Sequence, residues 1–421
     1  MMLMTTTLSA ATTTLDQRLD AAAASVESKV IECRRDIHQH PELGNREVRT
    51  SKLIADKLRA LGIEVKTPIA HTGVVGILKG GKPGRVVALR ADMDALPVVE
   101  QVDLPFKSTV KTTYNGQEVG VMHACGHDAH VAILLGVAEV LAGVRGDIPG
   151  TVKFLFQPAE EGAPEGEEGG AALMVKEGAL ENPNAEVVFG LHVTSRYPVG
   201  EIAYRSGAEL AAVDSFKITV HGKQTHGAYP WLGIDPIVVA SQIVLGLQTI
   251  PSRQVDASLA PSIVTVGAIH GGVRNNIIPD SVEMIGTIRS LDEKMRSDIH
   301  ARIKRTAEDI ATSGGAKADV VITTGYPVTY NDPALTEKMV PTLKKVSSDV
   351  ITVNPTLGAE DFSFYQQKVP GLFIWLGTRP KNQTAEEAAS NHSPLFFVDE
   401  SGLLLGVRAM SHLAVDYLRA R

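Results

Sequence analysis

Met122-His123-Ala124-Cys125-Gly126-His127-Asp128, with His130 close behind, concentrates ligand-type side chains in one short run. A thiol, imidazoles and a carboxylate at this spacing bring soft, borderline and hard donor atoms within reach of one point. A cysteine at a helix start is also a common packed thiol, so the run alone leaves a metal site and a structural role both open. The missing donors decide between them. Glu160-Glu161 follow the apolar residues 151–156 and Gln157-Pro158, His192 follows residues 187–191, and His392-Ser393-Pro394 lies in the loop after residues 372–376. Cys125, His127, Glu161, His192 and His392 supply one thiolate, one carboxylate and three imidazoles. That exceeds what one tetrahedral zinc takes, and the surplus suits two metals sharing a bridging ligand. Glu160 stands beside a ligand and cannot share its geometry. A carboxylate there is the natural general base, taking a proton from water as it attacks a carbonyl and returning it to the leaving amine.

The elements that must position these groups can be read from apolar patterning. Residues 86–89, 151–156, 187–191 and 372–376 are near-continuous hydrophobic strands, as in a sheet covered on both faces. In open α/β sheets the site lies beyond the carboxyl ends of the strands, where the polar candidates here begin. Val131, Leu134, Leu135, Ala138 and Leu141 repeat at helical spacing, so the Cys/His run sits where a loop enters a buried helix. Helices are predicted over 15–37, stopped by Pro41, and over 46–61; His38 and His40 read as capping or packing residues. Strands are expected at 63–65, 74–78 and 86–89, the last two joined by Gly80-Gly81-Lys82-Pro83-Gly84. Gly76 to Lys82 matches the start of a phosphate-binding loop, but Pro83 replaces the Ser or Thr that holds Mg²⁺ and a strand follows, which rules the motif out.

Between residues 206 and 319 strands (216–220, 262–269, 282–288) alternate with helices (235–249, 292–311) as in a split β-α-β sandwich. A final helix is predicted over 400–421. The fold expected is α/β: a three-layer catalytic domain built on a mixed sheet (1–205 and 320–421), with a ferredoxin-like α/β lid inserted at 206–319. At 421 residues two domains are the default. A net charge of −7 without a basic run argues against nucleic acid and membrane surfaces as partners. Two distant cysteines, Cys33 and Cys125, fit a reducing compartment. Residues 1–25 lack the basic and apolar regions of a signal peptide, so a cytoplasmic location is expected, or a periplasmic one if an export signal was removed.

Arg90-Ala-Asp-Met-Asp-Ala-Leu-Pro, Met122-His-Ala-Cys-Gly-His-Asp, Phe156-Gln-Pro-Ala-Glu-Glu, Gly190-Leu-His, Gly358-Ala-Glu-Asp-Phe and His392-Ser-Pro together resemble the M20 metallopeptidase family. The resemblance is to its branch of bacterial aminoacylases, hippurate hydrolases and plant auxin-conjugate hydrolases, and runs from His38 to the final helix. It implies a di-metal hydrolase of N-acyl-L-amino acids whose lid mediates a homodimer or higher oligomer. Cys125 would replace the family's bridging aspartate, with His127, Glu161, His192 and His392 as the other ligands and Glu160 as base. Asp92 would correspond to the aspartate that orients a ligand histidine; that histidine is Arg90 here, a change shared by this branch. A thiolate bridge favours Zn²⁺ or Co²⁺, whereas carboxylate-rich relatives use Mn²⁺. By the same resemblance His226 would reach a partner subunit's site and bind the developing oxyanion, and Asn276 and Arg289 would grip the substrate carboxylate. On the residues alone, His226 could equally be a turn histidine and Arg289 a surface residue. A dipeptidase or carboxypeptidase would use the same ligands. A metal-binding scaffold would lack a ligand or the base, and a two-metal phosphoesterase would want a phosphate-cradling loop.

Overall fold

A computed structural model describes residues 13–420; the first part of the stretch 1–25, read above as lacking signal-peptide features, and the last residue of the predicted final helix lie outside the described residues. The chain divides into two compact units. One comprises the chain up to Tyr204, Ala334–Thr352 and the residues from Val369 onward; the other comprises Arg205–Pro333 and Val353–Lys368.

The first unit is organised on an eight-stranded mixed sheet. From one edge its strands are Glu64–Ile69, Gly73–Lys79, Pro149–Gln157, Lys82–Asp92, Val187–Pro198, Gly371–Arg379, Glu201–Tyr204 and Asp349–Thr352. The turn at Gly80-Gly81 was expected to join neighbouring strands. Instead Pro149–Gln157 lies between them, antiparallel to Gly73–Lys79 and parallel to Lys82–Asp92. The glycines make room for that insertion. A Cβ on Gly80 would stand 2.2 Å from the Ile148 carbonyl oxygen, and one on Gly81 2.3 Å from that of Gly146. The same arrangement recurs where Gly371–Arg379 separates Val187–Pro198 from Glu201–Tyr204. The helices His127–Gly143 and Leu403–Arg419 pack on Lys82–Asp92, and Leu15–Gln39 packs on both. His127–Gly143 is buried over almost its whole surface, which its apolar sequence requires.

The second unit has a four-stranded antiparallel sheet in the order Ser262–Gly271, Ser281–Ser290, Ala212–His221, Lys317–Thr324. Helices Pro236–Thr249 and Glu293–Ser313 close its core, their first turns capped by Asp235 and Asp292. This is the β-α-β-β-α-β order of the ferredoxin-like fold. The unit extends beyond position 319, because Lys317–Thr324 pairs with Ala212–His221 as far as Asp214↔Thr324. Residues 353–368 also return to it, through Thr356 N–H to Glu209 O and Ala211 N–H to Gly358 O.

Asp214 is the electrostatic anchor of this unit. Its buried carboxylate accepts from Arg296 at 2.5 and 2.9 Å, His300 at 2.6 Å and the Gly325 N–H at 2.9 Å. Burial alone would raise its pKa; the hydrogen bonds from Arg296, His300 and Gly325 outweigh that and hold it well below the usual carboxylate range. Asp214→Ala is expected to cost about 3 kcal/mol, the lower end for removing one partner of a buried ion pair, because Arg296 keeps Glu293 at 3.1 Å. Because the folded pKa is depressed, the wild-type advantage should be full at neutral pH and fall away as pH drops through the ordinary carboxylate value towards the folded one. Urea unfolding of both proteins at pH 7 and below 4 measures the difference.

Candidate metal centre

Two parallel strands part to make the site. Lys82–Asp92 and Val187–Pro198 pair only up to Arg90↔Gly190, although both run on. The His130 imidazole fills the gap. Its Nδ1 donates to Asp92, and its Nε2 accepts the Val193 N–H at 2.8 Å. Both ring nitrogens are thereby used, burial lowers the pKa, and the ring is fixed as a neutral wedge. His192 therefore lies within a longer strand rather than at a strand end, level with the opening.

The helix His127–Gly143 delivers Cys125 and His127 to this opening. Gly126, its cap residue, has φ +91, and a Cβ there would meet Val193 at 2.4 Å, so only glycine turns the chain this close to the strand. A buried network anchors the helix start from behind. Asp128 accepts from Arg34 Nε at 2.7 Å and pairs with His38 Nδ1 at 2.8 Å, while His38 Nε2 meets Glu100 at 3.0 Å. His38 thus does more than the capping or packing expected, whereas His40 merely bonds the Asp36 carbonyl at an exposed helix end. His123 is buried without a ring hydrogen bond, and burial pushes its pKa down to about 3.

The donor atoms form two groups that share Cys125: Cys125, His127 and His192 in one, and Cys125, Glu161 and His392 in the other, all donors within 4.8 Å of one another in each. Cys125 Sγ lies 3.4 Å from His192 Nε2 and 3.3 Å from His392 Nε2. Glu161 Oε1 lies 3.1 Å from His392 Nε2 and 4.0 Å from His127 Nε2. Donors on a tetrahedron with ordinary Zn–S and Zn–N bonds stand about 3.5 Å apart, so the spacings fit. His127 Nε2 is buried with no hydrogen-bond partner, which is the state expected of a ligand atom.

The charges point the same way. Burial, then Glu161, Glu160 and Asp92, push the Cys125 thiol well above its ordinary pKa. Against the opposing effect of burial, Asp92 and Asp94 raise His127 to about 10. Burial and the His130 ring lower His192, whereas the hydrogen bond to Glu161 raises His392. Carboxylates and a thiol crowded into a buried site repel one another, and cations between them would relieve that repulsion.

Asp92 does not take the task expected of it. Its carboxylate is engaged by Arg90 Nη1 at 2.5 Å and by His130, and its nearest approach to His127 Nε2 is 3.8 Å. Asp94 contacts His127 instead. One oxygen accepts from His127 Nδ1 at 3.2 Å, leaving Nε2 for a metal, and the other accepts the Glu161 N–H at 3.0 Å. Asn391 similarly ties the His392 loop down, donating to the carbonyls of Cys125 and Val193, both at 3.1 Å. Asp94→Ala should weaken metal retention about 10–100-fold, the usual loss for an outer carboxylate, as competition with a chromogenic chelator would measure.

Glu160 is buried beside these groups, its Oε2 3.9 Å from His127 Nε2. In the second unit Thr225–His226 pairs with Ile277–Ile278, and the Gly227 N–H donates to the Asn276 carbonyl at 2.8 Å, so His226 and Asn276 lie side by side at one end of a two-stranded ladder. His226 Nδ1 accepts the Ala228 N–H at 3.0 Å, which puts the proton of the neutral ring on Nε2. Arg289 is not part of that ladder. It stands in Ser281–Ser290 opposite Val213, with Nη1 on the Thr287 hydroxyl at 2.5 Å and the Ile288 carbonyl at 3.1 Å, and burial lowers its pKa.

The chain is similar to known proteins over most of its length. Thermostable carboxypeptidase 1 of Saccharolobus solfataricus is 45% identical over 96% of this chain and 99% of its own. The N-acetylcysteine deacetylase of Bacillus subtilis is 38% identical over 93% and 97%. The crystal structure of the Bacillus subtilis YXEP protein, a dinuclear metal binding peptidase, superposes with a TM-score of 0.79 at 35% identity, covering 94% of this chain and 100% of that one. Residues 88–416, which include every candidate metal ligand, match peptidase family M20/M25/M40, and the chain belongs to that family of metal-dependent hydrolases of amide bonds.

Proposed function

We propose that this enzyme hydrolyses the amide bond of N-acyl-L-amino acids. The observation that carries the reading is the pair of donor groups sharing Cys125, with the Glu160 carboxylate beside them. Cys125, His127 and His192 would hold one divalent ion and Cys125, Glu161 and His392 a second, as Zn²⁺, Mn²⁺ or Co²⁺. When bound, the ions supply Lewis acidity that makes water nucleophilic at neutral pH and polarises the scissile carbonyl. Glu160 takes the proton of the attacking water and delivers it to the leaving nitrogen, so that one water and one amide become a carboxylic acid and an amine. His226, with its proton on Nε2, donates to the carbonyl oxygen as negative charge develops there. Asn276 and Arg289 hold the free carboxylate on the amine side of the bond.

The likeness to an N-acetylcysteine deacetylase supports an acyl-amino-acid substrate, and the likeness to a carboxypeptidase supports a second reading, release of a C-terminal residue from a peptide. Both reactions cut an amide next to a free α-carboxylate and differ in what the acyl side carries. A panel of hippurate, N-acetylmethionine and dipeptides, run with and without chelator, tests the proposal. Turnover of dipeptides well above every N-acyl amino acid would replace it with the peptidase reading, and chelator-insensitive turnover would remove both.

The enzyme works, on this reading, as a homodimer in which His226 serves the neighbouring copy. Tyr229, Trp231, Leu232 and Val273 are 50%, 73%, 57% and 95% exposed, an apolar surface that association would cover. Trp231→Glu should shift light-scattering mass from dimer to monomer and lower kcat by about 10²-fold, the value of a lost oxyanion donor.

A further inference from the structure

Glu47 occupies the cap position of helix Val48–Ala60, yet its side chain makes no capping bond. Glu42 does that instead, accepting from the Arg49 and Thr50 N–H groups at 2.9 and 2.8 Å. The fully buried Glu47 carboxylate turns inward. One oxygen accepts the Ala159 N–H at 2.9 Å, and the other meets the Thr72 hydroxyl at 2.6 Å. Burying a carboxyl group is unfavourable unless its oxygens are used, and the helix gains no cap from it.

Ala159, immediately before Glu160, has φ +50, a left-handed conformation that residues with a Cβ enter at a cost. Two hydrogen bonds hold the turn there, Glu47 on the Ala159 N–H and Asp94 on the Glu161 N–H at 3.0 Å, and Gly44 leaves it room, since a Cβ there would stand 2.8 Å from the Gly162 carbonyl oxygen and 3.1 Å from the Ala159 Cβ. We propose that Glu47 is a positioning residue: through the Ala159 N–H it holds the left-handed turn that directs Glu160 and Glu161 into the metal centre. This rests on Glu160 as base and Glu161 as ligand. Burial and the neighbouring Asp94 push the Glu47 carboxyl towards its neutral form, which makes glutamine a close mimic.

The test uses the full-length metal-loaded protein. Glu47→Ala should lower kcat about 10–100-fold with KM unchanged and weaken zinc retention against a chelator about tenfold, losses typical of an outer-shell partner. Amide exchange at Ala159 should accelerate. Glu47→Gln should restore all three, because its amide oxygen still accepts the N–H. Thr72→Val, which leaves the carboxyl in place but removes its latch, should give a smaller loss in the same direction. A folded Glu47→Ala protein with wild-type kcat, zinc retention and exchange would overturn the proposal, as would Glu47→Gln no better than Glu47→Ala. If Glu47→Ala does not fold, wild-type behaviour of Thr72→Val would overturn it. Glu160→Gln is run alongside: undiminished turnover there would remove the base assignment, while zinc retention and exchange in the Glu47 variants would still judge the positioning role.

Discussion

Glu160→Gln is expected to lower kcat by about 10²–10⁴-fold, the range for a lost general acid–base, with the metal content of the purified protein unchanged. Glutamine keeps the shape of the side chain but cannot take a proton from water. The expectation of intact metal follows from the donor sets, since neither group sharing Cys125 includes Glu160. Glu160 also falls in a third grouping, with His127 and Glu161, and that gives the experiment a second edge. If Glu160 were a ligand, the substitution would remove metal along with turnover, and elemental analysis would show it. Substantial residual turnover at full metal loading would show instead that another group accepts the proton.

The second large effect is expected at Cys125, the one donor common to both groups. Cys125→Ala leaves His127 with His192, and Glu161 with His392, as separate half-sites. Both should lose their ions on dialysis, and turnover should fall to that of chelator-treated wild type. The lost Lewis acidity is worth several kcal/mol, a fall on the order of 10³-fold in rate. Cys125→Asp replaces the soft bridge by a hard one. It should recover metal binding with the preference moved from Zn²⁺ and Co²⁺ towards Mn²⁺, measurable as a changed order of reactivating metals. Failure of both variants to alter metal content would remove Cys125 from the centre.

Much of this arrangement was legible in the sequence because it is written in periodicity and residue type. The apolar runs leading to Asp92, Gln157 and His192 marked three strands, and the helical repeat after Cys125 marked the helix that presents it. The alternation over 206–319 marked the ferredoxin-like sheet and its two helices. Adjacency was not legible. Period and hydrophobicity identify a strand but not its neighbours, so nothing in Gly80-Gly81 announced that Pro149–Gln157 would enter between the flanking strands. Asp94 was missed for a related reason. Two acids at i and i+2 are equivalent candidates until the parting of the strands and the wedged His130 commit Asp92 elsewhere. The return of residues 353–368 to the second unit relies on backbone bonds such as Thr356 N–H to Glu209 O, which leave no side-chain signature.

The twofold insertion in the sheet sets an order on biosynthesis. Pro149–Gln157 is made before Val187–Pro198, but Gly371–Arg379, which separates Val187–Pro198 from Glu201–Tyr204, is made only after the whole second unit. Until then the nascent chain carries Val187–Pro198, with His192 on it, as an open edge able to pair with other chains. His392 leaves the ribosome later still. The group of Cys125, Glu161 and His392 therefore forms only after residue 392 is made, and a product truncated before residue 371 should aggregate without ever loading its second ion.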